Sequence, residues 1–362
     1  MLKLRRGVVV STEPLEVRVA DEQRRAWADE SMLGEIREGD EVIVNVEALD
    51  LDLGSGGFDV VHANLTRGLE APGAGDGAHV IKLNYTSLQH PVDPVEPLHE
   101  GDGDSAWNGP ARRIPVLVVF LHGHLAPAAW AAAQAAPGLR LGYVQTAGGA
   151  LPGSLSRDVT ELRSRELLCG QITAGAAYGG DAEAISVPGA LHAAADSLGW
   201  DAAIAGPGPG ILGSASALGH GGMAALDNAH GSLALGLETL LAPRLSAGDE
   251  RPRHRGLSHH AETVLRMLLA PVRVPVPELD VADWPSGDPA GESGRETALG
   301  RLREACGDRH EIWAREVDLE GYAASGLPTR TMGRELADDR LFFAAALAAG
   351  DALGALARKD QG

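Results

Sequence analysis

Two histidines one residue apart, His122 and His124, follow directly on the apolar run 116–121. If the chain stays extended through them, residues two apart face the same way, and both imidazoles point to one side at a strand end. Such a pair can begin a metal site or supply a general acid or base, since the ordinary pKa of imidazole lies nearest to working pH. A zinc site would take its third histidine from His254, His259 or His260, all distant in sequence. Loop histidines making ordinary hydrogen bonds are the competing reading. No bound metal is therefore expected, and His122 and His124 stand as the candidate catalytic residues.

Glycine supplies the second signal. The run Ala202-Ala203-Ile204-Ala205 enters Gly206-Pro207-Gly208-Pro209-Gly210, and 208–213 has the spacing G-x-G-x-x-G. Dinucleotide binding would require a helix to start at once and an acidic residue to close a second strand. Gly219, Gly221 and Gly222 interrupt the first, and the second is missing. Two readings remain, a backbone cradle for an anion and a tight crossover in which glycine permits close packing. Gly206, Gly208, Gly210 and Gly213 are the candidates, with Gln145, Thr146, Gly148 and Gly149 as a second loop.

The densest polar cluster is Arg253, His254, Arg255, Ser258, His259 and His260. Ser258 fits the N-cap of a following helix, which would set the histidines and arginines around its positive end, an arrangement that suits a phosphate or carboxylate. An interface patch is the alternative. Asp227 and His230, three apart on a helix, share a face and read equally as a buried structural pair.

Several chemistries are excluded. Lys3, Lys82 and Lys359 are the only lysines among 31 basic residues, so the centre of the chain lacks the lysine of a nucleotide P-loop or of Schiff-base chemistry. No serine stands in a G-x-S-x-G elbow, which disfavours an esterase despite the strand-then-His-Gly similarity to α/β-hydrolases. The histidine pair resembles that of metal-dependent amidohydrolases, but their eightfold barrel has no counterpart here. A net charge of -19 argues against nucleic acid. Cys169 and Cys306 form no framework, in keeping with a reducing cytoplasm. The Ala-rich tail 342–357, interrupted by Asp351 and glycines, reads as a docked helix and not as an inserted one.

The elements that position these residues fall into two patterns. Residues 1–99 read as a small β-barrel domain, with strands at 4–10, 15–19, 41–46, 60–65 and 79–83, and with Val42, Val44 and Val46 on one face. A polar, glycine-rich stretch at 100–113 follows. Residues 114–362 alternate apolar runs with amphipathic segments: strands at 114–121, 139–145, 183–187, 201–205, 272–276 and 311–317, and helices at 126–136, 155–168, 188–198, 223–241, 258–269 and 295–306. That is a three-layer, Rossmann-like α/β domain with a mostly parallel sheet and a C-terminal α/β extension. In such sheets the loops at the carboxyl ends of the strands bind ligands.

Four segments occur in a recognisable order: His79-Val80-Ile81-Lys82-Leu83-Asn84-Tyr85-Thr86-Ser87-Leu88-Gln89, Ala174-Gly175-Ala176-Ala177-Tyr178-Gly179-Gly180-Asp181, the glycine loop 206–213 and the cluster 253–260. In combination they resemble a bacterial family known only as domain of unknown function family 3866. The resemblance covers nearly the whole chain and implies a soluble bacterial protein, but brings no activity, cofactor or catalytic residue with it. The expected function is recognition, and conversion in the enzymatic version, of a small anionic metabolite at the carboxyl edge. The alternative is a non-catalytic scaffold or partner-binding protein. Neither nucleic acid nor membrane is expected as a partner, homo-oligomerisation is left open, and the expected location is the cytoplasm.

Overall fold

The computed structural model describes residues 1–52, 56–69, 78–98, 109–110, 112–286 and 293–360. Two compact units divide the chain, Met1–Val92 and Asp93–Gly362. The division lies before residue 99. Pro94 bridges Glu183, Val95 N–H donates to Glu183 O at 2.8 Å, and the Glu96 carboxylate accepts the N–H groups of Ile185 and Ser186. Most of the expected linker 100–113 falls outside the described residues.

In the first unit β1 (Leu4–Thr12), β2 (Leu15–Val19), β3 (Glu22–Trp27), β4 (Glu41–Asn45) and β5 (Asp59–Asn64) close a barrel in the order β1-β2-β3-β5-β4. One-turn helices α1 (Glu30–Leu33) and α2 (Glu47–Asp50) lie in its connections. Val9, Val17, Val42, Val44, Val46 and Val61 fill the interior, as strand alternation requires. One strand differs from expectation. Residues 79–83 do not join the barrel: β6 (Val80–Lys82) pairs with β7 (His90–Val92) in a separate hairpin. The fifth barrel strand is β3, whose Glu-Gln-Arg-Arg start conceals it. Arg24 fastens β3 to β5 through Asp59 at 2.6 Å.

The second unit is built on an eight-stranded, all-parallel sheet. Its strands are β8 (Val116–Val118), β9 (Leu141–Thr146), β10 (Gly170–Ala174), β11 (Ala182–Ala184), β12 (Ala202–Pro207), β13 (Thr239–Leu241), β16 (Arg273–Pro277) and β17 (Glu311–Arg315). Their spatial order is β11-β10-β9-β12-β8-β13-β16-β17. Two small hairpins accompany it, β14 (Leu245–Ser246) with β15 (Gly256–Leu257), and β18 (Arg330–Thr331) with β19 (Arg334–Glu335). Helices α3 (Leu125–Ala135), α4 (Arg157–Ser164), α9 (Leu319–Ala324) and α10 (Arg340–Asp360) pack together as one layer. Helices α5 (Val187–Asp196), α6 (Ala224–Ala234), α7 (His259–Met267) and α8 (Gly294–Cys306) form the other. This is a three-layer, Rossmann-like α/β fold.

Small residues let the layers approach closely. A Cβ on Gly350 would stand 2.0 Å from Ala128 O, and one on Gly354 2.5 Å from Ala132 O, so α10 and α3 meet backbone to backbone. By length and composition 340–359 could cross a membrane, yet 83% of that window is buried within the fold. The expected helix 223–241 is two elements. Gly236, at φ +71°, ends the helical stretch, and Thr239-Leu240-Leu241 becomes a central strand between β8 and β16.

Connectivity locates a crevice. Strands β8 and β9 lead into α3 and α4 in one layer, while β12, which lies between them, leads into α6 in the other. Loops that diverge from neighbouring strands leave room at the carboxyl edge, which is where open α/β sheets bind ligands.

Candidate functional site

The loops after β9 and β12 meet in that crevice and fill it with each other. Ala150 N–H donates to Pro209 O at 2.7 Å. A Cβ on Gly149 would lie 2.1 Å from Gly208 O, and one on Gly208 2.3 Å from Ala150 O. Gly206 leaves space for Val119, and Gly148 for the backbone of Gly221. The Gln145 amide donates toward Ala150 O and Leu151 O at 3.1 and 3.2 Å and accepts from Gln171 at 2.9 Å, while Thr146 accepts from Asn228 at 3.0 Å. Glycine at 148, 149, 206 and 208 thus serves close packing, and Gln145 and Thr146 hold the two loops. Gly210, at φ +75°, makes the outer turn. Gly213 pairs with His220.

His122 and His124 do not face the same way. The extended chain ends at Leu121, and His122–His124 is a 3-10 turn, in which residues two apart point about 120° away from each other. His122 turns toward the start of α4: its Nε2 lies 2.7 Å from Ser156 Oγ, its Nδ1 is 3.5 Å from Tyr143 Oη, and Asp158 is 3.9 Å away. Tyr143 donates its hydroxyl to Pro207 O, and Ser156 caps α4 by accepting from Val159 N–H. His124 turns instead toward Phe342, with ring centroids 4.7 Å apart. Burial, and then the charge of Arg244, push the pKa of His124 down to about 3. Burial also lowers that of His122. An imidazole at about 3 is a weak base, which argues against His124 as the proton-transfer group, while His122 keeps Asp158 beside it as an opposing influence.

The polar centre of this unit lies beyond β13 and at the start of α7. Ser258 is the N-cap, its hydroxyl accepting from His260 N–H at 3.2 Å and lying 2.7 Å from His254 Nδ1. His220 joins them, its ring stacked on His260 with centroids 3.5 Å apart. His259 lies 4.4 Å from His260, 5.0 Å from His254 and 5.5 Å from His220, ring to ring. Arg244, 3% exposed, points Nη1 at His260 Nδ1 at 3.2 Å and Nη2 at Asp249 at 3.4 Å. Asp249 also takes Arg251 and Arg334, and Asp339 takes Arg334 and Ser246. The cluster therefore carries three guanidinium groups against two carboxylates.

Arg253 and Arg255 are not part of this interior. The turn Pro252–His254 sends His254 inward and leaves both arginines exposed, Arg255 reaching the carbonyl of Asp249 at 3.1 Å. The buried cation is Arg244, which sequence reading missed because Thr239-Leu240-Leu241 was assigned to a helix. A lone arginine directly after a strand was the signal. His220 was hidden among the glycines at 219–222 and would have stood out only as a histidine between two glycine turns.

Burial disfavours protonation of the imidazoles. Burial, then His220 and Arg244, push His260 down to about 2, while burial, then Arg244 and Arg251, push His254 down to about 3. Burial likewise lowers His220 and His259 and brings Arg244 down to about 10, still protonated at neutral pH. Among the described residues, His220 Nδ1, His259 Nε2, both ring nitrogens of His124, Arg244 Nε and an Arg334 Nη are buried without a hydrogen-bond partner. Buried polar groups are rarely left so. A separate cleft of about 580 Å³, lined by Glu278, Asp280, Asp283, Arg295 and Arg340 among others, lies at the ends of β16 and β17.

A Rossmann-like parallel sheet with a histidine and arginine centre at its carboxyl edge, accompanied by a closed five-stranded barrel, defines the class of protein. The chain belongs to the family of proteins of unknown function DUF3866, which matches residues 25–350. No curated protein and no solved structure matches it.

Proposed function

We propose that the chain recognises a small anionic molecule at the carboxyl edge of its parallel sheet, in the centre formed by Arg244, His220, His254, His259 and His260. The observation that carries this reading is the buried guanidinium of Arg244, whose Nε lacks a partner among the described residues beside imidazole nitrogens in the same condition. A buried donor set with surplus positive charge is completed by an acceptor that brings negative charge. Burial holds His254 and His260 well below neutrality, so recognition is favoured over acid–base conversion.

Thermal unfolding with phosphate, sulfate and di- and tricarboxylates tests this. A ligand at a hundred times its Kd adds about 2.7 kcal/mol, a rise of roughly 4–5 °C in a chain this large. Arg244→Met should abolish the rise, while Asp249 keeps Arg251 and Arg334 as partners and preserves the fold. Anions that stabilise neither protein, or both equally, refute the reading. One observation favours the scaffold alternative: Leu212 and Leu218 are 80% and 60% exposed on the loop after β12, which suits a partner surface.

A further inference from the structure

We infer that His220, His259 and His260 form a binding site for a single divalent transition-metal ion of the zinc type. One ring nitrogen from each lies within 4.8 Å of those of the other two. A tetrahedral ion with bonds of about 2.0–2.1 Å places its nitrogens about 3.3 Å apart, so the three need to close by at most about 1.5 Å.

The protonation pattern suits ligation. His220 Nε2 lies 2.9 Å from Ala217 O, a carbonyl that can only accept, so Nε2 carries the proton and Nδ1 carries the lone pair. That Nδ1 is the buried atom without a partner among the described residues, on a side chain 7% exposed. Metal-bound histidines show the same arrangement, the far nitrogen donating to a carbonyl that fixes tautomer and ring orientation. His259 contributes Nε2, likewise buried and unpaired among the described residues.

Gly222 makes the room. A Cβ there would stand 3.0 Å from His220 Nδ1 and 3.2 Å from His260 Nδ1, in the space an ion needs. His260 is the ligand that must change most. Its Nδ1 is occupied by Arg244 and its ring is stacked on that of His220, so binding tilts the ring and releases the guanidinium edge. An ion next to a free guanidinium requires an anion between them. Three protein ligands leave a coordination position open, and an anionic oxygen can fill it. In this the inference rests on the anion reading and extends it.

The full-length protein, stripped with chelator, is titrated with Co²⁺ and then with Zn²⁺. The expected result is one Co²⁺ per chain with the visible d–d bands of a four-coordinate site of three nitrogens and one oxygen, displaced by Zn²⁺. His220→Ala and the partly buried His259→Ala should each weaken Co²⁺ binding at least tenfold, with circular dichroism confirming the fold, and Arg18→Ala, at an exposed position of β2, should leave it unchanged. Phosphate should alter the bands in the wild type and not in Arg244→Met. Absence of one-to-one uptake, or binding by folded His220→Ala and His259→Ala as tight as wild type, overturns the metal site. Phosphate stabilisation that persists in the metal-free protein and disappears in Arg244→Met would then leave the anion reading standing by itself.

Discussion

His124 should make this protein sensitive to acid well above the range in which carboxylates titrate. The side chain is fully buried at the end of β8, neither ring nitrogen has a partner among the described residues, and its pKa is pushed down to about 3. In the unfolded chain the same group titrates at about 6.5. Between those values the unfolded state binds the proton and the folded state does not, so the folded state loses stability as pH falls below about 6.5. His124 alone contributes a loss of about 1.3 kcal/mol between pH 7.5 and 5.5, and about 2.7 kcal/mol by pH 4.5. That is a sizeable part of the 5–15 kcal/mol typical of a domain. His254 and His260 act in the same direction. The perturbation is His124→Leu, close in volume and unable to titrate. Urea unfolding in EDTA at pH 7.5, 5.5 and 4.5 should show the wild type losing more stability than the variant by those amounts. Equal slopes for the two proteins would refute the argument, because they would mean that His124 takes up its proton equally in both states.

Two further outcomes follow from packing and charge. Gly350→Ala should destabilise the second unit by roughly 1–3 kcal/mol although alanine is the better helix former, because the added methyl meets Ala128 O at 2.0 Å; a rise in the urea midpoint would contradict this. Arg67→Ala should weaken the barrel by about 2 kcal/mol at pH 7, since Arg67 is the first of the groups that hold buried Asp40 down at about 2. The Asp40 contribution is present above about pH 4 and fades as pH falls toward 2, so the two proteins should converge in acid, and a difference that persists at pH 2 would exclude the ion pair as its source.

The fold was legible where side-chain patterning is strong. The alternation of Val42, Val44 and Val46 gave the barrel interior, and continuous apolar runs gave β8, β9, β12 and β16. It was not legible where packing overrides composition. Strand β10 reads Gly-Gln-Ile-Thr-Ala, yet it is buried, because its glycine and that of β9 leave space for the indole of Trp200, 2.1 Å from a Cβ at Gly142 and 3.1 Å from one at Gly170. Gln171 and Thr173 satisfy their polar groups against Gln145 and Glu183, partners that no local window reveals. The candidate site was legible as a region. Convergence of the loop after β12 on the cluster is expected from parallel strands sharing a carboxyl edge, and it is made through His220, whose ring stacks on His260, whereas Gly213 meets His220 within the loop itself. Which side chains turn inward depended on two 3-10 turns, at 122–124 and 252–254, which broke the same-face assumption and put Arg253 and Arg255 outside.

The replacement of those arginines by Arg244 changes what the centre can do. A cation at the surface would be screened, whereas one buried between Asp249 and four imidazoles acts at short range. The identity of that cation also matters. Burial lowers Arg244 to about 10 and leaves it charged, but lysine starts near 10.4, and buried lysines fall to about 5–6, so a lysine here would lose its charge at neutral pH. Histidines whose protonation burial disfavours and an arginine still charged at neutral pH keep the interior positive while the whole chain carries -19. On the anion reading proposed above, long-range attraction would not gather the ligand, and the centre would select it by contact, through the unpaired donors Arg244 Nε and Arg334 Nη. Such selection suits a compact anion with several oxygens better than an extended polyanion.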